Sequence, residues 1–373
     1  MINCGATIDI TQLFPPTVTT YVMDSNRPFN LENLLPHHRN IRVFDEAGDT
    51  ERLEQLIAIH EEMKYDPESD SSGSDTGEEE DDEFGRLQSD RPRQRRRLNS
   101  PPGVSRVEQR MQRQQRMREL VKYHDVPPYQ GCSSAAIAYM LATDLAQTNN
   151  SLLWWAIVGV TAQYVFELID TDKYLDHVST FSDEVARLNV SEDDGVNEGS
   201  IRTEDEYKFM LFRHWNLYES MLHSSYINEM LALSTEAGLV RMHNMLATEG
   251  ISLKQAKQQY THMELNTKKE LKKKVESMCQ LQGIEGVLYP SFSQSFGYHG
   301  RLSASDTVHS LNTLLETRPA VALELGEDVR WDGEDIDEMD STFYTAYDAM
   351  GRFDHLQCGI RLCIKKMEAK EAQ

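Results

Sequence analysis

The sequence contains 373 residues, of which 39% are hydrophobic and 27% are charged, and its formal net charge is -23. This length and apolar fraction suffice for two ordinary domains and exclude a wholly disordered chain. The net charge disfavours nucleic acid as a general partner, but the charges are clustered, so the total says little about any one surface. The five cysteines form no CxxC pair, which indicates a reducing compartment and argues against a zinc site.

Short strands and helices alternate at the start of the chain. Strand-like runs occur at Met1–Cys4, Val18–Met23 and Ile41–Phe44, and the apolar spacing of Arg52–Met63 predicts an amphipathic helix. The strand-like runs are apolar without clean alternation. This pattern predicts a parallel sheet that is covered on both faces.

The composition changes abruptly at Asp66. An acidic run, Glu78–Glu83, is followed by an arginine-rich stretch, and a segment of this kind does not bury enough apolar surface to fold alone. The arginine-rich stretch has two interpretations: one is a solvated linker attracted to the acidic run, and the other is a nuclear import signal. The residues of the candidate signal are Arg91, Arg93, Arg95, Arg96 and Arg97.

The longest nearly continuous apolar run of the chain is Leu152–Phe166, which includes two adjacent tryptophans. Its length is near the lower limit for a membrane span, but Thr161 and Gln163 interrupt it and no lysine or arginine flanks it closely. We therefore expect a buried helix that is central to a soluble domain. A second helix is expected from about Ser133, and the acidic, glycine-containing stretch Ser191–Ser200 is expected to be an exposed loop.

The remainder of the chain is predicted to be mostly helical. Residues 203–283 are predicted to be predominantly helical, with apolar residues at helical spacing in His214–Leu222 and an ambiguous run at Tyr207–Phe212. Thr267–Gln282 predicts a lysine-rich helix that Gly283 ends. The lysines of this helix indicate a solvated face or a contact with an acidic partner. A strand or loop at Ser291–Leu302 is expected to lead into a helix at Ser305–Glu316, and a further helix is possible at Phe343–Lys366.

No Ser-His-Asp order, glycine-rich phosphate loop or HExxH helix is present in the sequence. Polar residues instead follow two predicted strands, at Asn3-Cys4-Gly5 and at Asp24–Pro28. Open parallel sheets bind ligands at the carboxyl ends of their strands. The arrangement resembles the DHH phosphoesterases, the superfamily of the RecJ nucleases, in which such strand ends hold paired divalent metals.

In this resemblance most positions of the superfamily's metal ligands carry other residues. Asn3 stands where the superfamily has an aspartate, Ser25 and Asn26 stand where it has histidines, and Asp24 alone is retained. Gly159–Gln163 resembles the later Gly-Thr-x-Ala-Asp motif but carries no carboxylate. The Asp-x-Asp motif of an earlier strand has no counterpart.

A closer resemblance rests on several short motifs that occur in one order. They are Ile2 through Ala6, Asp24 through Pro28, Gly131 through Ala135, Leu153 through Gly159, His214-Trp215 and Ala304 through Asp306. Together they resemble the cell division control protein 45 family, whose members carry a similar acidic and arginine-rich insert. The usual family signature has a histidine where this sequence has Asn26. The first strands and the carboxyl-terminal DHHA1-like domain of the family are not recognised here, which implies a partial gene product.

The resemblance implies an α/β fold with an incomplete DHH-phosphoesterase-like parallel-sheet domain, a disordered acidic and basic insert, and an inserted all-helical domain. The implied divisions are residues 1–65 and 105–202 for the first domain, 66–104 for the insert, 203–318 for the helical domain and 319–373 for an incomplete final segment. The implied protein is not an enzyme, has no cofactor, metal or membrane partner, and acts in the nucleus.

The resemblance also implies partners and a role. The role is that of a cofactor of the replicative helicase, joined to the hexameric minichromosome-maintenance ATPase and the GINS complex, with contacts to single-stranded DNA and origin chromatin. Two alternatives remain open: an active DHH phosphoesterase or exonuclease, which Asn3, Ser25 and Asn26 disfavour, and an acidic histone-binding scaffold, which only the acidic run suggests.

Overall fold

The computed structural model describes residues 1–45, 50–64, 106–189, 198–318 and 338–371. The chain forms two compact units, Met1–Gly131 and Cys132–Gln373. Both units combine helices with short strands, which confirms the prediction of a mixed α/β fold. The acidic run and the candidate import signal lie outside the described residues.

The first unit contains a small parallel sheet. Its elements are β1 (Thr20–Val22), β2 (Asn26–Arg27), a 3-10 turn (Leu31–Leu34), β3 (Ile41–Val43), α1 (Thr50–Lys64), α2 (Arg106–His124) and β4 (Tyr129–Gln130). β1 and β3 are parallel, with Thr20 opposite Ile41, and β2 and β4 are antiparallel. The parallel pairing and the helix predicted at Arg52–Met63 are thus confirmed.

The strand expected at Met1–Cys4 is reduced to one parallel bridge between Ile2 and Met23. The cause is local, because Asn3 has a φ of 53°, in the left-handed region that is incompatible with an extended strand. The first unit has a hydrophobic core between the sheet and its connections, formed by Ala6, Ile10, Val22, Phe29 and Ile41.

The second unit is mainly helical. Its helices are α3 (Ser134–Asp144), α4 (Asn150–Val165), α5 (Thr171–Leu188), α6 (Leu217–Leu222), α7 (Ser225–Leu231), α8 (Glu236–Thr248), α9 (Leu253–Ala256), α10 (Leu265–Leu281), α11 (Ala304–Glu316), α12 (Glu338–Ala349) and α13 (Phe353–Glu371). Its strands are β5 (Ile201–Tyr207), β6 (Leu288–Ser295) and β7 (Arg301–Ser303).

The apolar run forms α4, which packs against α3, α5, α11 and β6. Leu153 and Trp154 are fully buried and Ile157 and Val160 nearly so, so the prediction of a buried helix in this position is confirmed. Burial of such side chains stabilises the fold by about 1.5–3 kcal/mol each. None of the helices within the described ranges has the combined length and hydrophobicity that crossing a bilayer requires.

The expectation that residues 203–318 are all helical is wrong. β5 pairs antiparallel with β6 along its whole length, and β6 pairs antiparallel with β7. The sequence of β5 does not have the pattern of a strand, because four of its seven residues are charged. Hydrogen bonds between the backbones of β5 and β6 hold β5 in an extended conformation, which its side-chain pattern does not indicate.

Other predicted helices are present in the second unit, some with different bounds. The lysine-rich helix is α10, and Gly283 follows it with a φ of 68°, as expected of a residue that ends a helix. The helix expected at Phe343–Lys366 is instead the pair α12 and α13, separated by a turn that contains Gly351. Both pack against α11, which begins and ends close to the predicted Ser305–Glu316.

Candidate functional site

The polar residues that follow β1 form a closed hydrogen-bond network in the first unit. Asp24 is 1% exposed. Its Oδ2 accepts a hydrogen bond from the backbone N–H of Ala6 at 3.0 Å. Its Oδ1 accepts from the backbone N–H of Asn26 at 3.0 Å and from the Asn26 side-chain amide at 2.8 Å. Both carboxylate oxygens are therefore used to hold neighbouring backbone in place.

The other strand-end residues join the same network. The hydroxyl of Ser25 donates to Oδ1 of Asn3 at 2.7 Å, and Oδ1 of Asn26 accepts from the Gln130 side chain at 2.9 Å. The buried guanidinium of Arg27 donates to the Asp24 carbonyl at 2.7 Å. The structure thus brings together Asn3, Asp24, Ser25 and Asn26, the four positions at which the sequence resembles the DHH motifs.

These residues do not fit a paired-metal centre. Hard divalent cations require several oxygen ligands, and paired-metal hydrolysis requires bridging acids in addition. The four motif positions offer one carboxylate, Asp24, and both of its oxygens already accept N–H donors. The carboxylate of Asp45, which Arg27 joins to the network, is paired with that guanidinium at 3.4 Å. Over the described ranges, no group of three or more His, Cys, Asp or Glu side chains is placed to hold a metal ion.

The second motif, Gly159–Gln163, lies within α4 in the second unit. Gly159 faces the start of α3. A Cβ added there would lie 2.6 Å from Oγ of Ser133 and 2.8 Å from Cβ of Ala135. The glycine and the small side chain of Ala135 therefore permit close packing of the two helices.

A second buried polar cluster, which the sequence did not predict, joins β5 to the turn before α6. The guanidinium of Arg213 lies 3.0 Å from a carboxylate oxygen of Glu204 and 3.3 Å from one of Glu206. The Glu206 side chain is 5% exposed. Burial raises the pKa of Glu206 to about 8, and the charge of Asp306 adds to this increase while Arg213 opposes it.

The cluster continues to the first turn of α11. Nε2 of His214 lies 3.2 Å from Oδ2 of Asp306, and Ser303 caps the helix by accepting from the Asp306 N–H. Burial disfavours the charged form of His214, but the Asp306 carboxylate outweighs it and raises the pKa of His214. Burial likewise disfavours ionised Asp306, but His214 and Arg213 lower its pKa. His214 and Asp306 were noticed in the sequence through the family resemblance alone.

Known proteins are similar to this chain over most of its length. Residues 1–369 match the family model described as CDC45. The chain belongs to the CDC45 family. It is 33% identical over 341 residues to the cell division control protein 45 homolog of Schizosaccharomyces pombe, a match that covers 85% of this chain and 53% of that protein. The human homolog is 29% identical over 383 residues, covering 100% of this chain and 62% of that protein.

A solved structure supports the fold. The crystal structure of CDC45 from Entamoeba histolytica superposes with a TM-score of 0.63 at 20% identity, covering 98% of this chain and 56% of that one. The resemblance inferred from the short motifs is therefore confirmed at the level of the CDC45 family. The chain spans between half and two thirds of the length of the two curated relatives described here.

Proposed function

We propose that this CDC45-family chain is a non-catalytic factor of DNA replication initiation and elongation. In this role it acts in the nucleus as a cofactor of the replicative helicase, bound to the minichromosome-maintenance hexamer and the GINS complex, and it contacts single-stranded DNA and origin chromatin. The first unit is proposed to be a degenerate DHH-like domain, with Asn3, Asp24, Ser25 and Asn26 at the positions of the lost metal ligands.

The observation that carries this proposal is the family match over residues 1–369, because relatives across that match bear the name of a cell division control protein. The Asp24 network supports the non-catalytic part. A carboxylate whose two oxygens accept three N–H donors is a structural anchor, and releasing it to bind a metal would leave buried donors unsatisfied.

The test is affinity purification of the endogenously tagged gene product from replicating cells. Helicase ATPase subunits and GINS are expected to be recovered together, and a matched preparation from non-replicating cells should contain much less of both. A soluble tagged protein that recovers neither partner during replication would contradict the proposal.

The histone-binding alternative makes a different prediction. Removing Asp66–Glu83 should leave helicase association largely intact if the folded units carry the function. Histone binding by the intact chain, lost on this deletion while helicase subunits are never recovered, would instead favour the acidic scaffold. The acidic residues concerned lie outside the described ranges.

A further inference from the structure

The second unit contains a cavity of about 310 Å³. It lies where the end of α4, the start of α7 and the facing sides of α11 and α13 meet. This volume falls at the lower end of the range typical of ligand pockets. The cavity belongs to neither polar network described above.

Lys208 supplies a positive charge to this cavity. Its ammonium lies 4.9 Å from the ring centroid of Tyr164 and 4.3 Å from that of Tyr226, so two aromatic rings hold it in position. The side chain is half-buried. No carboxylate among the described residues forms an ion pair with it, which leaves the ammonium able to receive an anion.

The two carboxylates of the lining already have partners. Glu167 accepts a hydrogen bond from Ser225 at 3.3 Å. Glu316 accepts from Asn312 at 3.0 Å and lies 3.8 Å from the ammonium of Lys366. A ligand that brings its own carboxylate would therefore complete the charge balance of Lys208 without displacing an existing contact.

The remaining lining contains both polar and apolar side chains, and two of the apolar ones face the ligand space. Phe166, at 43% exposed, offers a ring to solvent beside the cavity, and Met367 is half-buried on α13. Thioether and aromatic side chains adapt to varied apolar groups. The lining thus combines Lys208, together with Lys366 and Lys370, with an apolar wall that includes Phe166 and Met367.

We propose that this cavity binds a peptide segment of a partner protein that presents one carboxylate to Lys208 and one apolar side chain to Phe166 and Met367. The inference is independent of the helicase role, since it rests on the cavity alone. Peptide docking of this kind depends on a few anchoring side chains rather than on total contact area.

A nucleic-acid ligand fits this cavity less well. Successive bases stack on several open aromatic faces, and Phe166 is the one lining aromatic that is exposed. One side of the Tyr164 ring is stacked on Tyr174 at 4.1 Å, and Lys208 lies over Tyr164 and Tyr226.

The test starts with phage-displayed random 12-residue peptides selected on the full chain. The enriched sequences are expected to share an aspartate or glutamate close to a leucine, methionine or aromatic residue. A labelled synthetic peptide of the consensus should bind in fluorescence anisotropy, and Lys208→Met should weaken it about tenfold or more. The matched control is Lys269→Met, an exposed lysine of α10 outside the cavity, which should leave binding unchanged.

A charge exchange keeps the test informative if Lys208→Met perturbs folding. A second peptide, with the acidic residue of the consensus replaced by lysine, should not bind the natural chain but should bind Lys208→Glu. Enriched peptides without an acidic residue, binding insensitive to Lys208, or failure of the exchange would overturn the inference. Displacement of the peptide by a twelve-nucleotide oligothymidylate would overturn it in favour of a nucleic-acid site.

Discussion

The imidazole of His214 lies 3.2 Å from the carboxylate of Asp306 and ties the turn before α6 to the first turn of α11. The Asp306 side chain is 4% exposed and that of His214 is 22% exposed. A buried carboxylate with a protonated imidazole beside it is stable, whereas either group alone would be costly in this position. The pair therefore makes the stability of the second unit sensitive to pH.

We predict that His214→Gln destabilises the protein most at mildly acidic pH. The pKa of His214 is raised, so its contribution is fully present below about 6.5, the unfolded value, and is lost as pH rises through the higher folded value. Asp306 must be ionised, which sets the lower limit of this window. Urea unfolding should give a loss of roughly 1–3 kcal/mol near pH 5.5 that shrinks by pH 8.5.

The control for this prediction is Lys274→Gln, which removes an exposed pair with Glu270 on α10. Its effect should stay below about 1 kcal/mol at every pH. A loss in His214→Gln that is the same at pH 5.5 and pH 8.5 would show that the pair contributes by packing rather than by charge.

A second prediction on pH dependence concerns Glu206, whose replacement should increase stability at high pH. Its pKa is raised to about 8, so the folded state retains a proton that the unfolded chain loses near 4.5. The contribution of Glu206 to stability should therefore decrease as pH rises from about 4.5 to 8, at up to about 1.4 kcal/mol per pH unit. Glu206→Gln, which resembles the protonated acid, should match the natural chain near pH 5 and exceed it near pH 8.

Thermal unfolding of Glu206→Gln at these two pH values checks the prediction. Lower stability of the variant at pH 8 would mean that Glu206 is ionised and held by Arg213, which lies 3.3 Å away.

Gly159→Ala tests the close approach of α3 and α4. An alanine normally favours a helix over glycine by about 1 kcal/mol. Here the new methyl group would lie 2.8 Å from Cβ of Ala135, which moves only with the backbone of α3, so we expect a net loss of about 1–3 kcal/mol. The double variant Gly159→Ala, Ala135→Gly should recover part of the loss.

The matched control for Gly159 is Gly351→Ala, because an added Cβ there has no described atom within 4 Å. Its effect on the midpoint of unfolding should be small. Equal effects at the two glycines would contradict a packing role for Gly159.

The elements that were predicted best from the sequence are those whose pattern of apolar side chains shows which residues are buried. The apolar run of α4 and the amphipathic spacing of α1 and α10 led to the correct helices because periodicity reports burial directly. β5 was missed because hydrogen bonds to the backbone of β6 hold it extended, and most of it lies in a region that its sequence predicts to be helical.

The polar residues of the candidate site also differ in how far a local sequence pattern marks them. The strand-like runs singled out Asn3 and the residues from Asp24 onward, because open parallel sheets bind ligands at the carboxyl ends of strands. In the structure the Ser25 hydroxyl donates a hydrogen bond to Asn3. The cluster of Arg213, Glu206 and Asp306 joins residues about a hundred positions apart, and no local pattern marks such a contact. The left-handed backbone of Asn3 was likewise invisible in an apolar run that resembles a strand.

The arginine cluster gives a prediction about localisation. Replacing Arg95, Arg96 and Arg97 with alanine should shift a fluorescently tagged protein from the nucleus to the cytoplasm, because import receptors recognise short basic runs in accessible segments. Replacing three arginines of α2, Arg113, Arg116 and Arg118, is the matched control and should leave localisation unchanged. A cluster variant that stays nuclear, in cells where no partner carries it in, would refute the signal.

Asp24 gives the last prediction, which separates the cofactor role from an active phosphoesterase. Asp24→Asn replaces an oxygen acceptor with an amide that would face an N–H donor, so unfolding experiments should give a loss of roughly 1–3 kcal/mol. The triple variant Asn3→Asp, Ser25→His and Asn26→His should produce no hydrolysis of single-stranded DNA or dinucleotides with Mn²⁺, because the bridging acids of a paired-metal centre are still lacking. The natural chain should give the same result, and calorimetry should detect no tight Mn²⁺ binding. Metal-dependent product that co-elutes with the natural protein and disappears in Asp24→Asn, with folding intact by circular dichroism, would establish the enzyme instead.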